Sequence, residues 1–130
     1  MGARPDSPEA WLARARSDLA LAQAVLALPG VLPEDACYHA RQCAEKALKA
    51  LLIHLRVQYP RTRIISTLLH LIEEQGVDIA AGVDAAFSLT QYATLTRYPT
   101  SRDPVTVDDT RDAVELARTV LAWVEEKVGS

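Results

Sequence analysis

The chain has 130 residues, 49% of them hydrophobic, and a formal net charge of −3. Helix-favouring small apolar residues, five glycines and few aromatics predict an all-α single domain. The acidic balance argues against a basic surface that coats nucleic acid. No apolar stretch reaches the ~18 residues of a membrane span, and the N-terminus has no hydrophobic signal core. We therefore expect a cytoplasmic protein with no membrane segment.

The first two predicted helices fill the N-terminal half of the chain. The first begins with Ser7 as N-cap and Pro8 at the first helical position, and it ends in the segment LPGVLP (28–33). The second is predicted from about Glu34 to about Val57, and it holds both cysteines and two of the three histidines. Its many alanines predict close packing, either as the central helix of a bundle or against its copy in a dimer.

The cysteines in the second helix predict neither a disulfide nor a metal site. Cys37 and Cys43 are six residues apart, so helical rise alone separates them by ~9 Å, whereas a disulfide needs Cα atoms closer than ~7 Å. Both fall on an apolar arc when residues are placed at 100° steps. The other potential ligand there is His54, which we interpret as a core residue. We predict two buried thiols, no metal and no cofactor.

Three more helices are predicted after a short connector, the last of them starting at a capping box formed by Thr106 and Asp109. We see no repeats and no linkers. The prediction is one domain, folded as an up-and-down four-helix bundle with one short additional helix. The bounds of these three helices are about Ser66–Gln75, Asp84–Arg97 and 106–127.

The polar arc of the second helix carries a continuous stripe of candidate ligand-binding side chains. They stand at i, i+3, i+7 and i+10: His39, Gln42, Lys46 and Lys49. On the same arc Arg41, Glu45 and Lys49 have the spacing of helix ion pairs. A solvated helix face is one interpretation of this arc, and a site for an anion is the other.

The segment CYHARQCAEKALKALLI (37–53) resembles the signature of the HEPN family (higher eukaryotes and prokaryotes nucleotide-binding domain). That family has a helix of the form aromatic-His-Ala-x-Gln-x-Ala-Glu-Lys-Ala-Leu-Lys-Ala in this place. EAWLARARSDLALA, LTRYP (95–99) and AVELARTVLAWVEEKV resemble the family's opening helix, its Ala-Arg-Tyr-Pro element and its closing helix. The resemblance covers nearly the whole chain and is weakest over 61–86.

This resemblance implies a helical bundle that is often dimeric, with one of two kinds of function. Some members are nucleotide-binding or partner subunits, frequently encoded beside a minimal nucleotidyltransferase as a toxin–antitoxin pair. Others are metal-independent ribonucleases with an Arg, four to six residues and then a His, where the Arg stabilises phosphate charge and the His transfers a proton.

The ribonuclease pair is poorly represented in this sequence. The spacing occurs once, at Arg63 and His70, in the segment where the resemblance is weakest. We interpret His70 as an ordinary helix residue. The family's catalytic arginine would correspond to Arg97, after which no histidine follows. We expect binding more than catalysis.

Three hypotheses follow for the function. The first is a homodimer that binds a nucleotide or a nucleotidyltransferase partner, as one component of a toxin–antitoxin pair. The second is a ribonuclease that acts on RNA with Arg97 or Arg63 and one histidine, and the third is a non-catalytic structural interaction module. For the first hypothesis the predicted nucleotide-binding residues are His39, Gln42, Lys46, Lys49, Arg97 and Tyr98.

Overall fold

The computed structural model describes residues 6–92 and 105–129, whose regular secondary structure is entirely helical. This confirms the predicted all-α class and the helical bundle. None of the described helices is long and apolar enough to span a membrane. The elements are α1 (Pro8–Ala27), α2 (Pro33–His54), α3 (Ile65–Glu73), a 3₁₀ helix (Asp84–Tyr92) and α4 (Val107–Gly129).

The starts of α1 and α4 follow from local side-chain chemistry. The Ser7 hydroxyl accepts from the backbone N–H of Ala10 at 3.1 Å. At α4, Thr106 N–H donates to Asp109 Oδ2 at 2.9 Å, and Asp109 N–H donates to Thr106 Oγ1 at 3.0 Å. Hydrogen bonds from the backbone N–H and the side chain of Thr106 lower the pKa of the Asp109 carboxyl. Both predicted N-caps are confirmed.

The helix α2 is the centre of the bundle, because it packs against α1, α4, α3 and the 3₁₀ helix. Its alanines, such as Ala40, Ala44 and Ala47, are completely buried. Side chains this small allow the backbones of α1 and α4 to approach closely. The prediction of a central helix is therefore confirmed by the contacts within one chain.

Both cysteines are free and buried, as predicted. The Cys37 thiol donates to Thr110 Oγ1 at 3.7 Å, and the Cys43 thiol donates to the carbonyl oxygen of Ala117 at 3.9 Å. Burial, followed by the nearby carboxylates of Asp18 and Glu125, raises the pKa of Cys43 to about 12. Both thiols therefore contact α4 from the buried face of α2.

Two predictions from helix periodicity were wrong in detail. His54 is exposed and is the last residue of α2, so it does not lie in the core. Its imidazole sits at the negative end of the helix dipole instead. The predicted helix Asp84–Arg97 is a 3₁₀ helix over Asp84–Tyr92, and the rest of that prediction lies outside the described residues. The Ser88 hydroxyl donates to the carbonyl of Ala85 at 3.0 Å and competes with α-helical hydrogen bonding.

Candidate functional site

The carboxylate of Asp18 on α1 holds two of the predicted site residues. Lys46 Nζ donates to Asp18 Oδ2 at 2.6 Å, and His39 Nδ1 lies 3.3 Å from Asp18 Oδ1. Asp18 is buried, and its side chain keeps only 10% of its exposure. It therefore makes both contacts where the effective dielectric is low. His39 and Lys46 are engaged in joining α2 to α1.

Asp18 was missed from the sequence, although a signal for it exists. The buried face of α1 also carries Leu12, Ala15 and Ala22. One carboxylate in such an apolar row requires a cationic partner on a neighbouring helix, since burying an unpaired charge is costly.

Gln42 has a different partner from His39 and Lys46. Its Nε2 donates to the hydroxyl oxygen of Tyr38 at 2.6 Å. The Tyr38 ring in turn meets the His39 ring edge-on, with centroids 5.4 Å apart. The residues of the predicted stripe therefore do not share one partner. Gln42 bonds Tyr38, one turn toward the N-terminal end of α2, whereas His39 and Lys46 contact Asp18.

Arg41 and Glu45 form a buried ion pair, so the interpretation of their arc as solvated is wrong. Arg41 Nη1 donates to Glu45 Oε1 at 3.1 Å, and their side chains are 1% and 8% exposed. The Arg41 guanidinium also lies 5.6 Å from the Tyr38 ring centroid. Periodicity assigns a helix one buried face, whereas neighbours surround α2 on several sides.

Lys49 is the residue of the stripe that faces a pocket. The pocket has a volume of about 580 Å³ and lies between the start of α1, the second half of α2 and the connector that follows it. Lys49 Nζ lies 3.9 Å from Glu45 Oε2. It also lies 5.8 Å from the ring centroids of both Trp11 and Tyr59, within cation–π range. The lining residues are Trp11, Glu45, Lys49, Tyr59, Arg61, Thr62 and Arg63.

The residues that line this pocket include more positive than negative side chains. Burial lowers the pKa of the Lys49 ammonium, and the positive charges of Arg41, Lys46 and Arg63 lower it further, while Glu45 opposes them. Burial raises the pKa of Tyr59, and the carboxylates of Asp6 and Glu45 add to that effect. Lys49, Arg61 and Arg63 line the pocket together with Glu45, the single carboxylate among the lining residues. Arg41 already neutralises that carboxylate in part.

The structure brings few of the predicted site residues together. Lys49 lines the pocket, while His39, Lys46 and Gln42 have the partners described above. Arg97 and Tyr98 lie outside the described residues. The pocket residues that were not predicted come mainly from the connector segment QYPRTR (58–63), where one aromatic ring and two arginines lie within six residues. That local combination is a sequence signal for anion binding.

His70, the histidine of the predicted ribonuclease pair, does not line the pocket. His70 Nε2 lies 3.2 Å from Glu74 Oε1, and its side chain is 73% exposed. Arg63 lines the pocket and His70 does not. Within residues 6–92 and 105–129, no three His, Cys, Asp or Glu side chains are grouped so that they could hold a metal ion.

Comparison with known proteins gives consistent matches over nearly the whole chain. Residues 8–127 match the family described as HEPN domain. The crystal structure of ST0689, an archaeal HEPN homologue, is similar with a TM-score of 0.74 and 29% identity, over 94% of this chain and 98% of that one. The crystal structure of TT1696 from Thermus thermophilus is similar with a TM-score of 0.76 and 34% identity, over the same shares, 94% and 98%. No curated protein matches the chain significantly.

Proposed function

The chain belongs to the HEPN domain family, and from this premise we propose that it is a small nucleotide-binding protein that is not a catalyst. Its ligand site is the pocket that Lys49 lines. One observation carries the proposal: the Lys49 ammonium lies 5.8 Å from two aromatic ring centroids in a pocket that also contains two arginines.

The pocket offers a partner for each part of a nucleotide. Its volume of about 580 Å³ lies within the range of small-molecule sites, roughly 300–1,000 Å³. Arg61 and Arg63 provide planar guanidinium groups for bidentate contacts with phosphate. The Thr62 hydroxyl accepts from Ile64 N–H at 3.0 Å, so its own O–H remains available to donate. A base would stack on one of the lining rings.

Isothermal titration with a panel of nucleoside mono- and triphosphates tests this proposal. Lys49→Ala and Arg61→Ala should each weaken binding about tenfold or more, since a hydrogen bond to a charged group contributes roughly 1.5–3 kcal/mol. Arg118→Ala is the matched control, because Arg118 is exposed on α4 and donates to Glu115 at 2.6 Å. It should leave affinity unchanged. Absence of binding heat with every nucleotide would refute the proposal and favour a structural interaction module.

Exposed leucines on α1 and at its C-cap support the proposal that the chain associates with a second protein. Leu21, Leu26 and Leu28 are 46%, 41% and 54% exposed, and exposed apolar surface often marks an interface. We include a homodimer in the proposal, and a nucleotidyltransferase partner in a toxin–antitoxin pair as the role that follows from the family. Light scattering should give a dimer for the wild type and a monomer for Leu21→Lys, with Phe87→Lys as the exposed control.

The ribonuclease alternative has less support among the described residues. His39 contacts Asp18, His70 contacts Glu74, and neither shares the pocket with Arg63. We expect purified protein to leave RNA intact. Cleavage that disappears in an Arg97→Ala variant would establish the ribonuclease instead.

A further inference from the structure

The chain contains three lysines, and each has a different environment. Lys46 is bound to the Asp18 carboxylate at 2.6 Å. Lys127 is exposed near the end of α4, with its ammonium 6.0 Å from the Trp123 ring centroid. Lys49 is 14% exposed and lines the pocket. The three amines therefore form an internal comparison within one molecule.

Burial in the pocket favours the neutral, nucleophilic form of the Lys49 amine. Only the neutral amine has the lone pair that attacks an electrophile, and desolvation near other cations favours that form. Lys49 is desolvated in this way and has Arg41, Lys46 and Arg63 near it. Glu45 opposes the effect from 3.9 Å, but Arg41 takes the other oxygen of the same carboxylate at 3.1 Å.

Besides a nucleophile, acylation by an acyl phosphate requires a place for the phosphate leaving group. Arg61 and Arg63 can supply that place. Both line the same pocket as the amine. A guanidinium binds a phosphate group and stabilises the charge that builds up on its bridging oxygen when the bond to it breaks. An electrophile that carries phosphate would therefore be held close to Lys49, which raises its effective concentration there.

We propose that Lys49 is an acylation site for small acyl phosphates and that its acylation turns off the anion pocket. The Lys49 nitrogen attacks the acyl carbon, a C–N bond forms and the C–O bond to phosphate breaks. Phosphate leaves with the electron pair, and the amine proton passes to water. The products are an amide and inorganic phosphate, so no further reactant is needed. The acylation of Lys49 does not depend on the proposed function, whereas its effect on nucleotide affinity rests on that function.

Acetyl phosphate is a suitable probe, with mass-spectrometric measurement of acetylation at each lysine of the full chain. Lys49 should be modified roughly tenfold faster than Lys127, a difference of about 1.4 kcal/mol in the barrier. The double variant Arg61→Ala/Arg63→Ala should remove most of this advantage and leave the rate at Lys127 unchanged. Acetic anhydride carries no phosphate, so in the double variant its rate at Lys49 should fall only by the small amount that comes from losing the charge of Arg63.

Two comparisons decide whether the acylation proposal holds: Lys49 against Lys127, and acetyl phosphate against acetic anhydride. Faster modification of Lys127, or a Lys49 rate with acetyl phosphate that does not depend on the two arginines, would overturn the proposal. Circular dichroism of the double variant controls for folding, as does Lys127 as an internal reference. Acetylated protein should bind nucleotide about tenfold more weakly, as should Lys49→Gln, while Lys49→Arg should retain binding and resist acetylation.

The same experiment separates this proposal from the nucleotide proposal. Acetylation at Lys49 that requires the arginines, in a protein that binds no nucleotide, would support the acylation site and remove only its effect on nucleotide affinity. Nucleotide binding with no preference for Lys49 over Lys127 would overturn the acylation site alone. Protection of Lys49 by nucleotide would place both ligands in one pocket.

Discussion

Neutralising Asp18 tests whether the contact between α1 and α2 depends on a buried charge. Asp18 accepts from Lys46 on Oδ2 and faces His39 with Oδ1. In Asp18→Asn one oxygen is replaced by an NH₂ group. Lys46 has only donors, so the remaining oxygen must face Lys46, and the NH₂ group must face His39, which can accept on Nδ1 in its other tautomer. The main loss is then the charge attraction to Lys46.

The size of this loss follows from the exposure of the partners. Breaking a fully buried ion pair costs ~3–5 kcal/mol. The Asp18 side chain is 10% exposed and that of Lys46 is 24% exposed, so Lys46 can turn toward water and recover part of its solvation. We expect a loss of about 2 kcal/mol in the free energy of unfolding. For a domain of this size the midpoint should fall by about 7 °C.

Urea unfolding and thermal melting followed by far-ultraviolet circular dichroism measure this difference. Glu125→Gln is the matched control, because Arg16 Nη2 lies 2.7 Å from Glu125 Oε2 but the two side chains are 50% and 38% exposed. Such a pair contributes less than ~1 kcal/mol. In a Lys46→Met background, Asp18→Asn should lose most of its effect. Equal losses for Asp18→Asn and Glu125→Gln would refute the argument from burial.

Two further predictions concern the interior of α2. Glu45→Gln leaves the Arg41 guanidinium buried opposite a neutral acceptor, so it should lower the free energy of unfolding by ~3 kcal/mol in the same assay. The double variant Arg41→Met/Glu45→Met should be close to wild type, and a double variant as unstable as the single one would contradict this. Because the pKa of Cys43 is raised to about 12, its thiol stays protonated as the pH rises from neutral to mildly alkaline values. Iodoacetamide at about pH 8 should therefore alkylate Cys43 only as fast as the chain unfolds, while rapid alkylation of native protein, detected by mass spectrometry, would contradict its burial.

Local sequence chemistry was sufficient to predict where helices begin. Ser7 before Pro8, and Thr106 three residues before Asp109, place donors and acceptors within reach of one turn. Periodicity was equally sufficient for the buried alanines and cysteines of α2, including Cys43. In these cases the information lies within a few neighbouring residues, so no tertiary contact was needed to interpret it.

The burial and the partners of the polar residues of α2 could not be predicted in this way, because they depend on the helices and the connector packed against α2. Arg41 has a polar position on the helical wheel but is 1% exposed, since α2 has neighbours on several sides. The pocket joins Trp11 to Arg63, which are 52 positions apart in sequence. A helical wheel contains no information about which neighbouring side chain meets each polar residue.

The contrast between Lys46 and Lys49 shows that one helix face holds lysines in two different environments. The two lysines are less than one turn apart, and each has an acidic partner. Asp18 binds Lys46 at 2.6 Å, whereas Glu45 stays 3.9 Å from Lys49. Arg41 Nη1 donates to the other oxygen of the Glu45 carboxylate at 3.1 Å and so neutralises part of its charge. An arginine that contributes little net stability when buried therefore keeps the charge of Lys49 incompletely neutralised toward the pocket.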